Sequence, residues 1–573
     1  MASLVRRAAS YVYRNGFWYT GRRCIEKVKD RCMKPYDKLW RQLEPKPEEL
    51  AKQRQDKTVE AAGLISVVIP VYNTRPALLE ALADSLMQQT YSNWEACLYD
   101  GASTESATKE ALDAVSAKDS RIRVVHGEIN EGISGNTNLA IDMAKGAWIA
   151  LCDHDDLLTA DALYQVAKTI LKDQPDMIFT DEDKVNENGT WYYEPNYKPD
   201  YCPDDLRSGN YICHLTVIRR ELMQKVGGLR KGFDGSQDHD LMLRCAEATD
   251  KIAHIPQVLY HWRTVGASVS HQHIDKCLDA AKRAVQEHMD RTGLKGHVTI
   301  ERGFLRLHYD TEQSRQIELI VIDNGDPKTW PDFVDRLKGW HTHPVHRMVI
   351  SPWKESAKDI DGDWIPWPDG GSVYPCINKA VAQSRADVVV ILHAGVMMER
   401  DDQWLDEMLM YAQRDDVAAV TPLLVDRGGY TTHAGFAVGM DHLASSCGIN
   451  KLAITGGWHN MLGIVHNVAA VSIACVMIRR DHFIPFDEAY SSGLGAVDWS
   501  LHLAKDGFLH VYTPFAKGKV DDKQCCNWLL LHKPANDQDA ARYTAAWGDN
   551  VHDLSYSRNF SRRQADYSLP KLK

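Results

Sequence analysis

Ala147-Trp148-Ile149-Ala150-Leu151-Cys152-Asp153-His154-Asp155-Asp156 is an apolar run that stops abruptly in three carboxylates. Such a run reads as a buried parallel strand, and in open α/β sheets ligands bind just beyond the carboxyl ends of the strands. Three acids this close repel one another unless water or a cation offsets the repulsion, so they suit a divalent cation that carries a diphosphate. The alternative, on these residues alone, is a solvated acidic turn in which Asp156 or Thr159 caps a helix from Leu157 to Ile170.

The preceding sequence sets up the same geometry several times. Leu64 to Pro70 is a buried-strand run stopped by proline, followed by Val71-Tyr72-Asn73-Thr74 and a helical pattern from Pro76 to Gln89. A second strand, Trp94 to Tyr99, ends at Asp100-Gly101, and a third, Arg121 to His126, precedes Asn130-Glu131-Gly132. A helix from Ser134 to Ala144 then leads into the acidic strand. Strand alternating with helix predicts a parallel sheet with right-handed crossovers, each strand ending in a polar group.

At 573 residues the chain is too long for one core, and its 44% hydrophobic and 25% charged residues are those of a soluble globular protein. The net charge of −11 argues against a general nucleic-acid binder. The thirteen cysteines form no C-x-x-C pair and read as reduced thiols of a cytoplasmic protein. No apolar segment reaches the length of a membrane span, and the first residues lack a signal peptide's apolar core. Residues 1–60 differ in composition: eleven Lys or Arg stand against three acids up to Arg41, interleaved with Tyr11, Tyr13, Phe17, Trp18, Tyr19, Tyr36 and Trp40. This arm suits peripheral contact with an anionic membrane at its inner face, or packing on the catalytic domain or a second subunit. Glu44 to Glu60 reads as a linker or solvated helix.

Val68-Ile69-Pro70-Val71-Tyr72-Asn73, Asp100-Gly101-Ala102-Ser103-Thr104, Asn130-Glu131-Gly132 and Asp153-His154-Asp155-Asp156, in that order, resemble glycosyltransferase family 2. The likeness continues through Phe179 to Lys184, Tyr197 to Asp200, Asn210 to His214, Gly235 to Leu241 and Leu259 to Arg263. It implies an α/β fold of the GT-A type, with inverting transfer from a nucleotide-diphosphate sugar. Tyr72, beside Pro70, would stack on the pyrimidine of a UDP or dTDP donor, and Asp100 would accept a hydrogen bond from its ring. Asp155, assisted by Asp153, would hold Mn²⁺ or Mg²⁺ against both phosphates, with His261 completing the shell. Asp238, at the start of a helix and next to Gln237, would be the base that takes the acceptor hydroxyl's proton. Asp240 reads as a helix-start acid. Asp181 and Asp183, past a strand from Asp176 to Thr180, would orient the donor or acceptor sugar, as would Gln237.

The carboxyl half repeats this organisation. Ile317 to Ile322 and His346 to Ile350 are strands, and Asn378 precedes His393 by the fifteen residues that separate Asn138 from Asp153. There the acidic cluster becomes His393-Ala394-Gly395, and Ala496 aligns with Asp238. The expectation is two Rossmann-like domains in tandem: a basic arm and linker over 1–60, a catalytic domain over 61–300, and over 301–573 a second GT-A-like domain without metal-dependent catalysis. Trp340, Trp353, Trp364 and Trp367 suit sugar stacking or plain packing. The implied partners are a nucleotide-sugar donor and a glycan or lipid-linked oligosaccharide acceptor, in cell-surface polysaccharide synthesis. Two alternatives stay open: two active centres, the second using His393, His433 and Asp498, or a catalytically silent glycan-binding scaffold.

Overall fold

A computed structural model describes residues 36–265, 274–312, 314–323, 326–327, 329–340, 345–368, 371–520 and 522–571. They fall into two compact units, one of residues 36–201 and 209–307, the other of 202–208 and 308–571. The first division therefore lies at 307, and Cys202–Ser208 belong with the second unit, an exchange that no local pattern announces. The basic residues and rings of the arm before Tyr36 lie outside the described residues.

The first unit is built on a nine-stranded sheet. Its strands are β1 (Ile65–Val71), β2 (Trp94–Asp100), β3 (Ile122–His126), β4 (Trp148–Leu151), β5 (Leu157–Leu158), β6 (Met177–Asn186), β7 (Tyr192–Asn196), β8 (Thr216–Arg219) and β9 (Ile252–Thr264). Their order is β3-β2-β1-β4-β8-β6-β9-β5, with β7 on the outer side of β6. β1 to β4 pair in parallel and every residue of β1 is buried, as its unbroken apolar run requires. The sheet is not parallel throughout: β8 runs antiparallel to both β4 and β6, and β5 antiparallel to β9.

One expectation changes here and one is resolved. Leu157 to Ile170 is not one helix. Leu157 and Leu158 pair with His261 and Tyr260, and the helix begins at Ala162. Asp156 caps no helix, because its carboxylate accepts from the Tyr260 hydroxyl (2.5 Å) and the Arg263 backbone N–H (2.7 Å). In residues 44–60 the solvated-helix alternative holds over the linker: the helix Pro47–Gln55 buries only Gln53, and the 3₁₀ turn Thr58–Ala62 that follows packs through Val59 and Ala62. The helix Tyr36–Leu43 before them buries Tyr36, Leu39 and Trp40, so these two rings of the arm pack on the first unit.

A hairpin, β10 (Gly296–Glu301) and β11 (Phe304–Tyr309), precedes the second sheet. That sheet comprises β12 (Ile317–Ile322), β13 (Val345–Ser351), β14 (Asp363–Pro366), β15 (Val388–His393), β16 (Val396–Met398), β17 (Val417–Val425), β18 (Thr431–His433), β21 (His466–Asn467), β22 (Cys475–Arg479) and β23 (Leu509–Val520). A separate hairpin is formed by β19 (Phe436–Met440) and β20 (Leu443–Ser446). The order β14-β13-β12-β15-β22-β17-β23-β16 matches the first sheet strand for strand. The correspondence reaches individual hydrogen bonds. The Asn138 side chain clamps Leu229, accepting from its N–H and donating to its C=O, and Asn378 clamps Phe486 in the same two ways.

Within the second unit Asp204 is fully buried against the Arg414 guanidinium, 2.5 Å away, with Arg207 at 3.1 Å. Burial opposes ionisation, but the two arginines overcome it and hold the Asp204 carboxyl down at about 2. A group lowered on folding stabilises above its unfolded value, about 3.9, and loses that contribution as pH falls through the folded value. Stability from this pair should therefore be constant above about pH 5 and disappear between about pH 4 and 2. Arg414→Leu leaves buried Asp204 with Arg207 as its one cation and should cost about 3 kcal/mol, read as a lowered urea midpoint at pH 7; an unchanged midpoint contradicts the assignment.

Candidate active site

The carboxyl ends of β1 and β4 open into a cavity of about 120 Å³. Pro70, Asp153, His214, Gln237, Asp238 and Tyr260 are among its lining residues. His214 arrives by register. β4 and β8 pair antiparallel with Leu151 opposite Thr216, and continuing two residues past the strand ends sets Asp153 opposite His214. The His214 Nε2 lies 3.7 Å from Asp153 Oδ2. Two residues fix the His214 backbone: Glu182 accepts from its N–H, and the buried Lys198 ammonium donates to its carbonyl (2.8 Å) and to that of Ile212 (3.0 Å).

Among the described residues, Asp153, Asp156 and His214 form the one group whose metal-ligating atoms all lie within 4.8 Å of one another. Burial, then repulsion between neighbouring acids, pushes the carboxyls of Asp153 and Asp156 up, with the His214 imidazole opposing this at Asp153. Such a cluster gains stability when a cation enters. Its oxygen and imidazole donors suit Mn²⁺ or Mg²⁺. Asp155 lies beside it, 3.9 Å from the His154 ring.

His261 is not brought to this cluster. Side chains alternate along β9, so Tyr260 faces the cavity and His261 faces away. The His261 Nδ1 is bonded to Asp183 (2.5 Å), and its ring meets Trp40 edge-on at 4.9 Å and Tyr192 at 4.6 Å. Asp183 also accepts from the Tyr36 hydroxyl (2.8 Å). Asp181 is turned inward too, accepting from the Lys198 backbone and pairing with His254 at 2.9 Å. Both acids lie within β6, which runs well past Thr180, and neither lines the cavity.

At the other wall, Asp238 is the second residue of the helix Gln237–Ala248. Its carboxylate accepts from Asn210 Nδ2 and from the His239 N–H, each at 2.9 Å. Gln237 accepts from the Gly235 N–H. Asp240 is buried between Arg230 and Arg244; despite burial, these hold its carboxyl below the usual range, and it braces the helix from within. Tyr72, just past β1, is 43% exposed, open to a stacking partner. Asp100 is fully buried, and its two oxygens are engaged by Ser103 N–H (2.9 Å) and His126 Nδ1 (2.8 Å). Burial notwithstanding, His126 keeps it ionised. It does not line the cavity.

The sequence reading assigned no role to His214, Tyr260 or Arg263. Tyr260 accepts from the Asp153 N–H and donates to Asp156, tying the acidic loop to β9. Arg263 is 4% exposed, yet its Nε and Nη2 have no hydrogen-bond partner. Burial lowers its pKa, with Asp156 and Asp155 opposing that shift, so its unused donors lie in the field of the acidic loop. The pairing of Leu157 with His261, continued outward, already sets Asp155 opposite Arg263.

Among its described residues, the second unit lacks this constellation. By register His393 and Ala474 occupy the places of Asp153 and His214. His393 is fully buried, accepts from the Gly395 N–H at 3.0 Å, and burial drives its pKa down to about 4. The helix Leu494–Lys505 places Gly495 second, one residue before the expected Ala496, and a Cβ there would come within 2.6 Å of the Tyr374 ring. His433 is buried against Ser446, with its pKa driven by burial to about 3, and Asp498 accepts from the Trp547 indole.

A strand-end cavity that offers carboxylates, an imidazole and a separate helix-borne acid defines a transferase-like site, and comparison with known proteins agrees. Residues 66–227 match the family model for Glycosyl transferase family 2. The chain carries a glycosyltransferase family 2 domain. An uncharacterized protein of Sinorhizobium fredii is 33% identical over 504 residues, covering 80% of this chain and 53% of that protein. The O-antigen biosynthesis protein RfbC of Myxococcus xanthus is 31% identical over 478 residues, covering 78% and 36% respectively. The chain thus spans about half or less of the length of these relatives. A solved mannosyltransferase of Pyrobaculum calidifontis, in complex with GDP-Man and Mn²⁺, superposes with a TM-score of 0.31 at 16% identity, covering 50% of this chain and 75% of that one. No helix of the described residues is long and apolar enough to cross a membrane.

Proposed function

We propose that the first unit transfers a sugar from a nucleotide-diphosphate donor to a glycan or lipid-linked glycan acceptor by metal-dependent single displacement, in the synthesis of a surface polysaccharide. The observation that carries this is the convergence of Asp153, His214 and Asp238 on one cavity at the strand ends. Asp153 and His214, with Asp155 beside them, would hold Mn²⁺ or Mg²⁺. When bound, the ion neutralises charge that grows on the departing diphosphate. Tyr72 stacks on the base, and Pro70 shapes the floor beneath it. Asp238 takes the acceptor hydroxyl's proton on the carboxylate that Asn210 orients, and the hydroxyl oxygen attacks the anomeric carbon opposite the leaving nucleotide, inverting it.

The shared strand order and the paired Asn138 and Asn378 clamps support reading the second unit as a GT-A-like copy, and His393, Ala474 and Gly495 in the places of Asp153, His214 and Asp238 support its lacking metal-dependent chemistry. The name of the Myxococcus relative supports the polysaccharide assignment. Incubation with a panel of UDP-, dTDP- and GDP-sugars and Mn²⁺ should release nucleoside diphosphate from at least one donor, and EDTA should stop it. Release unaffected by EDTA contradicts the metal; no release from any donor favours the scaffold.

A further inference from the structure

The far end of the first sheet has two unlike faces. On one, Tyr192, Asp183 and His261 are covered by Tyr36 and Trp40. On the other, alternation sends Trp262 and Tyr260 to the cavity side of β9. Trp262 lies 6.3 Å from the His214 ring, so this face continues directly from the candidate active site. Lys184 pairs with Trp262 across β6 and β9, its ammonium 5.2 Å from the indole centroid and 2.8 Å from Glu194. Tyr193 pairs with Lys184 across β6 and β7, and its hydroxyl meets Thr264 at 2.5 Å. Trp191 stacks on Tyr193 at 4.6 Å and 17°, and is 51% exposed.

Each strand step adds about 5 Å, so flat rings and an ion pair recur along a path leading away from Asp153 and Asp238. A protein's apolar patch would leave the Lys184–Glu194 pair desolvated between the rings. A pyranose chain fits both components: its C–H faces pack on the rings while its hydroxyls bond to the ammonium and carboxylate.

We propose that Trp262, Lys184, Glu194, Tyr193 and Trp191 form the acceptor track, binding a chain of pyranose residues whose leading sugar reaches Asp238. The assignment rests on reading the first unit as the transferase. The test uses the full chain, with EDTA and no nucleotide-sugar, on an array of gluco-, rhamno- and N-acetylglucosamine oligosaccharides of graded length. The expected result is retention that strengthens with length, weakened about tenfold by Trp191→Ala and largely restored by Trp191→Phe. The urea midpoint of Trp191→Ala should match wild type, because the ring is 51% exposed. Wild-type protein retaining no oligosaccharide, or Trp191→Ala retaining them equally well, would overturn the proposal. So would a Trp191-dependent gain on phosphatidylglycerol vesicles without one on glycans. Failure of the transferase reading shows separately, as absence of nucleotide release from every donor.

Discussion

Asp238→Asn should remove transfer and leave the molecule otherwise intact. The side chain sits at the first turn of its helix, where the helix dipole favours the anion, and two hydrogen bonds aim its oxygens. An amide of the same shape fits there, because Asn210 Oδ1 has no partner and a flipped Asn210 can accept from it. What the amide cannot do is take a proton. A positioned base contributes about 10² to 10⁴ in rate, so kcat should fall by that factor while the donor Kd stays within about twofold. A kcat within tenfold of wild type would remove Asp238 from the base role.

His214→Ala is the second large effect, and it separates two histidines. His214 faces Asp153 across the extended β4–β8 register, whereas His261 is bonded to Asp183 on the other side of β9. Mn²⁺ titration should show binding about tenfold to a hundredfold weaker in His214→Ala. His261→Ala should leave Mn²⁺ affinity within about twofold and instead lower the thermal midpoint, since it opens a cavity under Trp40 and leaves the buried Asp183 only the Tyr36 hydroxyl. The reverse pattern, with His261 controlling the metal and His214 not, would return the metal ligand role to His261.

These cases show where the sequence is informative. Parallel strands announce themselves as apolar runs, so β1, β2 and β4 and the acids beyond them were legible without coordinates. The fifteen-residue spacing from Asn138 to Asp153 and from Asn378 to His393 was equally legible, because both asparagines serve the same clamp. His214 was quoted as part of a motif but given no role. It reaches Asp153 only through antiparallel pairing of strands more than sixty residues apart, which leaves no local signal. His261 misled because aromatics flank it on both sides, hiding the alternation that turns it from the cavity. Asp181 and Asp183 read as sugar-orienting acids just past a strand. They are buried inside β6, where His254 and Lys198, and His261 and Tyr36, satisfy them.

The central claim is that one unit performs the transfer and its topological copy does not. Nucleotide-sugar turnover by Asp238→Asn and by His393→Ala, each confirmed folded and assayed with the best donor and Mn²⁺, tests it most directly. The account predicts that Asp238→Asn loses about 10²- to 10⁴-fold in turnover and that His393→Ala keeps wild-type kcat. Turnover surviving in Asp238→Asn and lost in His393→Ala would contradict it and place a catalytic centre in the second unit.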